Sequence, residues 1–210
     1  MGVRQGNFAN AVTFDSTIAA AGKISTTDTT YYLDSYWYSV ADLITGTTGA
    51  DDGLKSDLAG GGEPPVVVDN VYPGLALATT DVFGGLWKPP VNFDPTKKVE
   101  FYIQLQFAGE AEANDAAAFA LKYTNFTLGT TAISALPAGT TGVSNADTIT
   151  CAGDEYDDII QNVGPFAIAA GTFSAVGMLG WAFTATLAGF TGDLEVLVHG
   201  VEIQFARSYV

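Results

Sequence analysis

From Ile159 to Gly192 the chain reads "IIQNVGPFAIAAGTFSAVGMLGWAFTATLAGFTG" without one charged residue. A run of that length must become either a membrane helix or buried strands. Gly164, Pro165, Gly171, Gly177, Gly180 and Gly189 interrupt it, and Thr172, Ser174, Thr184 and Thr186 fall among its apolar positions. From Leu179 it alternates, with Leu179, Trp181, Phe183, Ala185 and Leu187 on one side and Gly180, Ala182, Thr184 and Thr186 on the other. Period two is the spacing of a strand, so the run reads as two buried strands joined by a Gly-rich turn.

The same period recurs along the chain. "KKVEFYIQLQF" sets Val99, Phe101, Ile103, Leu105 and Phe107 against Glu100, Tyr102, Gln104 and Gln106. "FALKYTNFTL" alternates through Phe119, Leu121 and Tyr123, then slips toward Phe126 and Leu128. These two are expected to form a hairpin across "AGEAEANDAAA", read as a loop carrying Glu110, Glu112 and Asp115. "PPVVVDNVYP" reads as a short strand that its prolines confine to a sheet edge. In "GDLEVLVHGVEIQFARSYV" the apolar set changes from Leu194, Val196 and Val198 to Val201, Ile203 and Phe205, a slip of one residue. Such a slip turns core residues to water unless a β-bulge absorbs the extra residue, and Gly200 is the expected site, in a left-handed conformation.

No heptads, long helices or fixed-period repeats interrupt this pattern. With 210 residues, 48% of them hydrophobic, one core is feasible. The expected fold is all-β: an antiparallel, jelly-roll-like β-sandwich with long Gly/Thr-rich loops such as "TGTTGADDGLKSDLAGGGEPP" and "ALPAGTTGVSNAD". It forms a single domain over 1–210, with 1–28 as an extended N-terminal arm. Phe101, Ile103, Leu105, Trp181, Phe183, Val196 and Ile203 are expected to share its core.

Charge and cysteine content narrow the function. A net charge of -15, from 23 acidic against 8 basic residues, argues against nucleic-acid and anionic-membrane surfaces. The lone Cys151 allows no intramolecular disulfide. "MGVRQGNFANAVTF" lacks the apolar core of a signal peptide and a myristoylation signal, so synthesis in a host cytoplasm is expected. Cys151 and His199 lack the local context of a thiol protease, and His199 reads as a bulge-side residue on an outer face. Asp154, Glu155, Asp157 and Asp158, and also Asp51, Asp52 and Asp57, offer oxygen clusters for a hard cation, yet neither has calcium-loop spacing and solvated loops explain them. "LAGGGEPP" runs into Pro64 and Pro65 and cannot open the helix of a phosphate loop. No catalytic set, cofactor or metal is expected.

"TTYYLDSYWYS" carries aromatic residues on both faces. Tyr32, Tyr36 and Tyr38 are expected to project together as a subunit or partner contact, the alternative being packing on the chain's own loops. Asp34, in the same row, then needs a donor or a wet rim.

The succession "PPVNFDPTKKVEFYIQLQFAGEAEANDAAAFALKYTNF", a polar segment, and "IAAGTFSAVGMLGWAFTATLAGFTGDLEVLVHGVEIQFARS" resembles the β-sandwich proteins of tailed-phage virions over residues 85 to 207. The resemblance implies a non-enzymatic virion component, a capsid decoration (cement) protein that oligomerises, often as a trimer, on the major capsid protein or other virion proteins. The alternative is a carbohydrate-binding module or host-surface adhesion component, with Trp37, Trp87 and exposed tyrosines stacking on sugars and Trp181 kept to the core.

Overall fold

The computed structural model describes residues 31–47, 66–69, 72–108, 115–127, 129, 143–150, 159–173, 177–189 and 195–208. Its strands are β1 (Tyr31–Ser39), β2 (Ile44–Thr47), β3 (Val66–Asp69), β4 (Tyr72–Leu77), β5 (Asp81–Trp87) and β6 (Val99–Ala108), followed by β7 (Ala116–Phe126), β8 (Val143–Thr150), β9 (Ile160–Ile168), β10 (Met178–Ala188) and β11 (Glu195–Ser208). One sheet runs β3-β4-β11-β6-β9, with β1 also on β11, and the other runs β2-β5-β10-β7-β8. Counted from β4, the first, eighth, third and sixth strands make one layer and the second, seventh, fourth and fifth the other. That order is a jelly roll, so the chain is an antiparallel β-sandwich.

This topology corrects the expected hairpin. β6 lies between β11 and β9, whereas β7 lies between β10 and β8 in the opposite sheet. Their apolar faces meet across the core instead of side by side, and alternation alone is the same in either arrangement. Ala116–Ala118, read as loop, open β7, with Ala117 fully buried opposite Leu187. The uncharged run supplies the two strands foreseen, β9 in one sheet and β10 in the other. No helix among the described residues is long and apolar enough to cross a membrane. β3, from the proline-pinned run, does sit at a sheet edge. Residues 1–28 and the stretches 48–65 and 130–142 lie outside the described residues, as do Glu110 and Glu112.

The seven expected core residues share one cluster. Phe183 lies at its centre, with ring centroids of Phe166 at 4.8 Å, Phe83 at 5.6 Å, Trp181 at 6.0 Å and Phe101 at 6.1 Å. A second aromatic group, Trp87, Phe93, Phe173 and Phe205, fills another part of the core, with Trp87 to Phe205 at 5.0 Å.

The phase slip in β11 is a bulge. Val198 is opposite Leu105 and Gly200 is opposite Gln104, which leaves His199 as the extra residue. On the other edge of β11, β4 pairs with residues 196–198 and β1 with residues 200–208. The bulge therefore falls where β11 exchanges one neighbour for another. The expected left-handed glycine is corrected, because the φ of Gly200 lies outside that region. Glycine is required there by close approach: a Cβ would strike the Trp37 ring and lie 2.5 Å from the Tyr38 carbonyl oxygen.

Candidate interaction surface

Register with β11 assigns each β1 side chain to a face, since residues directly opposite point the same way. Tyr38, Tyr36, Asp34 and Tyr32 oppose Val201, Ile203, Phe205 and Arg207. Val201, Ile203 and Phe205 belong to the core, so this row turns toward the interior. The expectation that Tyr32, Tyr36 and Tyr38 project outward together is thereby corrected.

Tyr38 is a core residue, 7% exposed, with its hydroxyl donating to the Leu86 carbonyl at 2.7 Å and its ring 5.2 Å from Trp181 in an edge arrangement. Burial pushes its phenol far above the ordinary tyrosine value, and nearby Tyr36 adds to the rise. Tyr36, its ring tilted against that of Tyr38 at 4.8 Å, escapes the cover of the second sheet and is 51% exposed. Tyr32 is half-buried. Its hydroxyl accepts from Asn92 Nδ2 at 3.4 Å, and hydrogen bonding to Arg207, then to Asn92, holds the phenol below its usual value. Asp34 finds its donors within the chain: Ser35 N–H at 2.9 Å, and Arg207 Nε at 2.9 Å as a charge contact whose N–H direction misses hydrogen-bond geometry.

The opposite side of β1 carries Leu33, Ser35 and Trp37, which are 70% exposed, exposed and 46% exposed respectively. Trp37 lies over Gly200 and opposes Glu202, which in turn opposes Tyr102 of β6. The neighbouring rows are Ser35–Gln204–Glu100 and Gly200–Gln104–Asn162. Strand alternation thus lays an aromatic, a carboxylate and a second aromatic in line across three strands, flanked by amides. Burial, with the Glu100 and Glu202 carboxylates, raises the Tyr102 phenol above its usual value. Lys98 Nζ meets Glu100 at 2.6 Å at one margin.

Trp87, expected to stack on sugars, is corrected: it is 2% exposed inside the aromatic group with Phe93, Phe173 and Phe205. Trp181 is buried as read, its ring edge-on to Tyr38 at 5.2 Å. Trp37 is then the one exposed indole of the three tryptophans. Sequence pattern named Trp37 but missed Glu202, Tyr102 and Gln104 as its neighbours, because only strand register brings them together.

His199 is half-buried beside the bulge. Its Nδ1 lies 3.0 Å from the Pro73 carbonyl, which can only accept, so Nδ1 carries a hydrogen. Nε2, left to accept in the neutral ring, faces the Gln106 side-chain amide at 2.9 Å and takes its N–H with the amide turned to present nitrogen. The ring thus ties β4 and β6 across β11. Cys151, the Asp154, Glu155, Asp157 and Asp158 cluster, and Asp51, Asp52 and Asp57 all lie outside the described residues. Among the described residues no three His, Cys, Asp or Glu side chains gather as a metal site.

No protein-family model and no curated protein matches the chain. Among solved structures, it is similar to the Eiger TNF of S. frugiperda at 8% identity and a TM-score of 0.29, covering 86% of this chain and 93% of that one. It is also similar to the CBM2 module of the evolved Dit protein of Lactobacillus casei BL23 phage J-1, at 11% identity and a TM-score of 0.35, covering 89% and 94%.

Proposed function

We propose that this chain is a non-enzymatic structural protein of a tailed-phage particle, a decoration component that self-associates and binds the particle surface through β1. The observation that carries this reading is the exposure of Leu33 and Tyr36 on a strand that, among the described residues, pairs only with β11. Exposed apolar side chains along an edge strand are the raw material of a subunit contact. An edge of this kind can be used identically by every copy, which suits a closed oligomer. The tailed-phage assignment and the trimer derive from the sequence resemblance. Mass in solution and co-purification with particles test the reading: Leu33→Asp with Tyr36→Ser should yield a folded protein that assembles at least tenfold more weakly. A wild-type protein that is monomeric and absent from particles overturns it.

A second reading, glycan binding, draws on Trp37, an exposed indole set beside carboxylate and amide side chains. It draws on a different side chain of β1 from the first, Trp37 over Gly200 of β11 instead of Leu33 and Tyr36.

A further inference from the structure

We propose that the outer face of β1, β11 and β6 is a platform for a neutral oligosaccharide, with Trp37 and Tyr102 under alternate sugar rings and Glu202, Gln204 and Gln104 as hydroxyl partners along the stretch between them. The proposal rests on the glycan-binding reading and gives it a site and a ligand class. A pyranose presents an apolar C–H face and a rim of hydroxyls, so its receptor needs a flat aromatic surface beside donors and acceptors held in place. Trp37, Glu202 and Tyr102 stand in one registered row, and the two aromatic residues are two strands apart. That separation is roughly 9–10 Å, about the length of a disaccharide.

Trp37 is held by its contact with Gly200, and the flanking side chains are half-buried on a hydrogen-bonded sheet, so little order must be gained on binding. Glu202 at the centre repels an anionic ligand, the Glu100 charge at the margin being met by Lys98, which selects a neutral glycan over a sialylated one or a phosphate chain. The carboxylate acts as a paired acceptor for vicinal hydroxyls, stronger than a neutral acceptor in the same place.

The experiment uses the full chain and a panel of neutral gluco-, manno-, galacto- and N-acetylglucosamine hexasaccharides, with sialylated counterparts. Since Trp37 is the one exposed indole, a bound sugar should shift tryptophan emission and protect it from acrylamide quenching. Trp37→Ala and Tyr102→Ala should each weaken binding at least tenfold, and Glu202→Gln several-fold, while thermal unfolding of Tyr102→Ala and Glu202→Gln stays near wild type. Binding that persists unchanged in both aromatic variants overturns this site and leaves the glycan reading standing. Preference for sialylated ligands overturns the neutral class. Silence across the panel overturns both the site and the reading on which it rests.

Discussion

A methyl group at Gly200 would meet the Trp37 ring on one side and the Tyr38 carbonyl oxygen at 2.5 Å on the other. The ring can swing away but the strand backbone cannot, so Gly200→Ala should cost about 1–3 kcal/mol in thermal or denaturant unfolding. Adding Trp37→Ala should not restore stability; full restoration would place the constraint in the ring. Sequence located this bulge from the change of apolar phase, but the reason for glycine lay in a strand more than a hundred and fifty positions away and had no local signal. Thr80 is the converse case, a β-branched residue at φ 79° in the turn from β4 to β5. Its N–H donates to the Ala185 carbonyl at 2.9 Å, which anchors the turn to β10. Thr80→Gly should retain that bond, relieve the left-handed strain and stabilise the fold by about 1 kcal/mol. Next to it Asp81, 4% exposed, accepts from Ala78 N–H at 2.6 Å, yet burial raises its carboxyl above the ordinary range. A raised folded-state value means the charged form is penalised, so this group costs stability at neutral pH and the cost fades as pH falls through the raised value. Asp81→Asn should therefore unfold at a higher temperature than wild type at pH 7, with the gap closing as pH falls into the ordinary carboxylate range. A gap independent of pH would mean the buried charge is not its source.

Among the elements, β10 was the most legible and β1 the least. Leu179, Trp181, Phe183 and Ala185 alternate without a break, and all four are buried on the inner face. Phe183 touches aromatic rings from β5, β6 and β9 as well as its own strand, so Phe183→Ala should cost about 3–5 kcal/mol, measured by equilibrium unfolding, because rings anchored on both sheets cannot collapse into the cavity. In β1 both rows are aromatic, so hydrophobicity could not choose the inner one. Pairing with Val201 and Ile203 chooses it instead, yet within that row only Tyr38 reaches the core, Tyr32 being half-buried and Tyr36 exposed. Trp87, expected to be exposed for stacking, is covered by Phe93 from the turn just after β5 and by Phe173 and Phe205 from far along the chain, which no local pattern announces. The sheet to which each strand belongs was equally hidden. β6 and β7 show the same alternation whether they lie side by side or face each other, and the jelly-roll order decides for the latter.

For the whole molecule, the net charge of -15 sets the terms on which copies can meet. Like-charged proteins repel over about a Debye length, roughly 10 Å at 0.1 M salt. The described cations near β1 are already engaged, Arg207 with Asp34 and Lys98 with Glu100, so an intermolecular salt bridge from these side chains would first have to break one of those contacts. A contact built on Leu33 and Tyr36 instead gains by removing apolar area from water, an effect that salt strengthens while it screens the repulsion. The self-association proposed through β1 should therefore tighten several-fold between 20 mM and 500 mM sodium chloride in sedimentation equilibrium, and tighten further in sulfate than in chloride. Leu33→Asp should abolish the dependence by removing the association itself. Association that weakens with salt would mean that opposite charges hold the copies together, which moves the contact off β1 and onto a surface where Lys or Arg of one copy meets the carboxylates of the next.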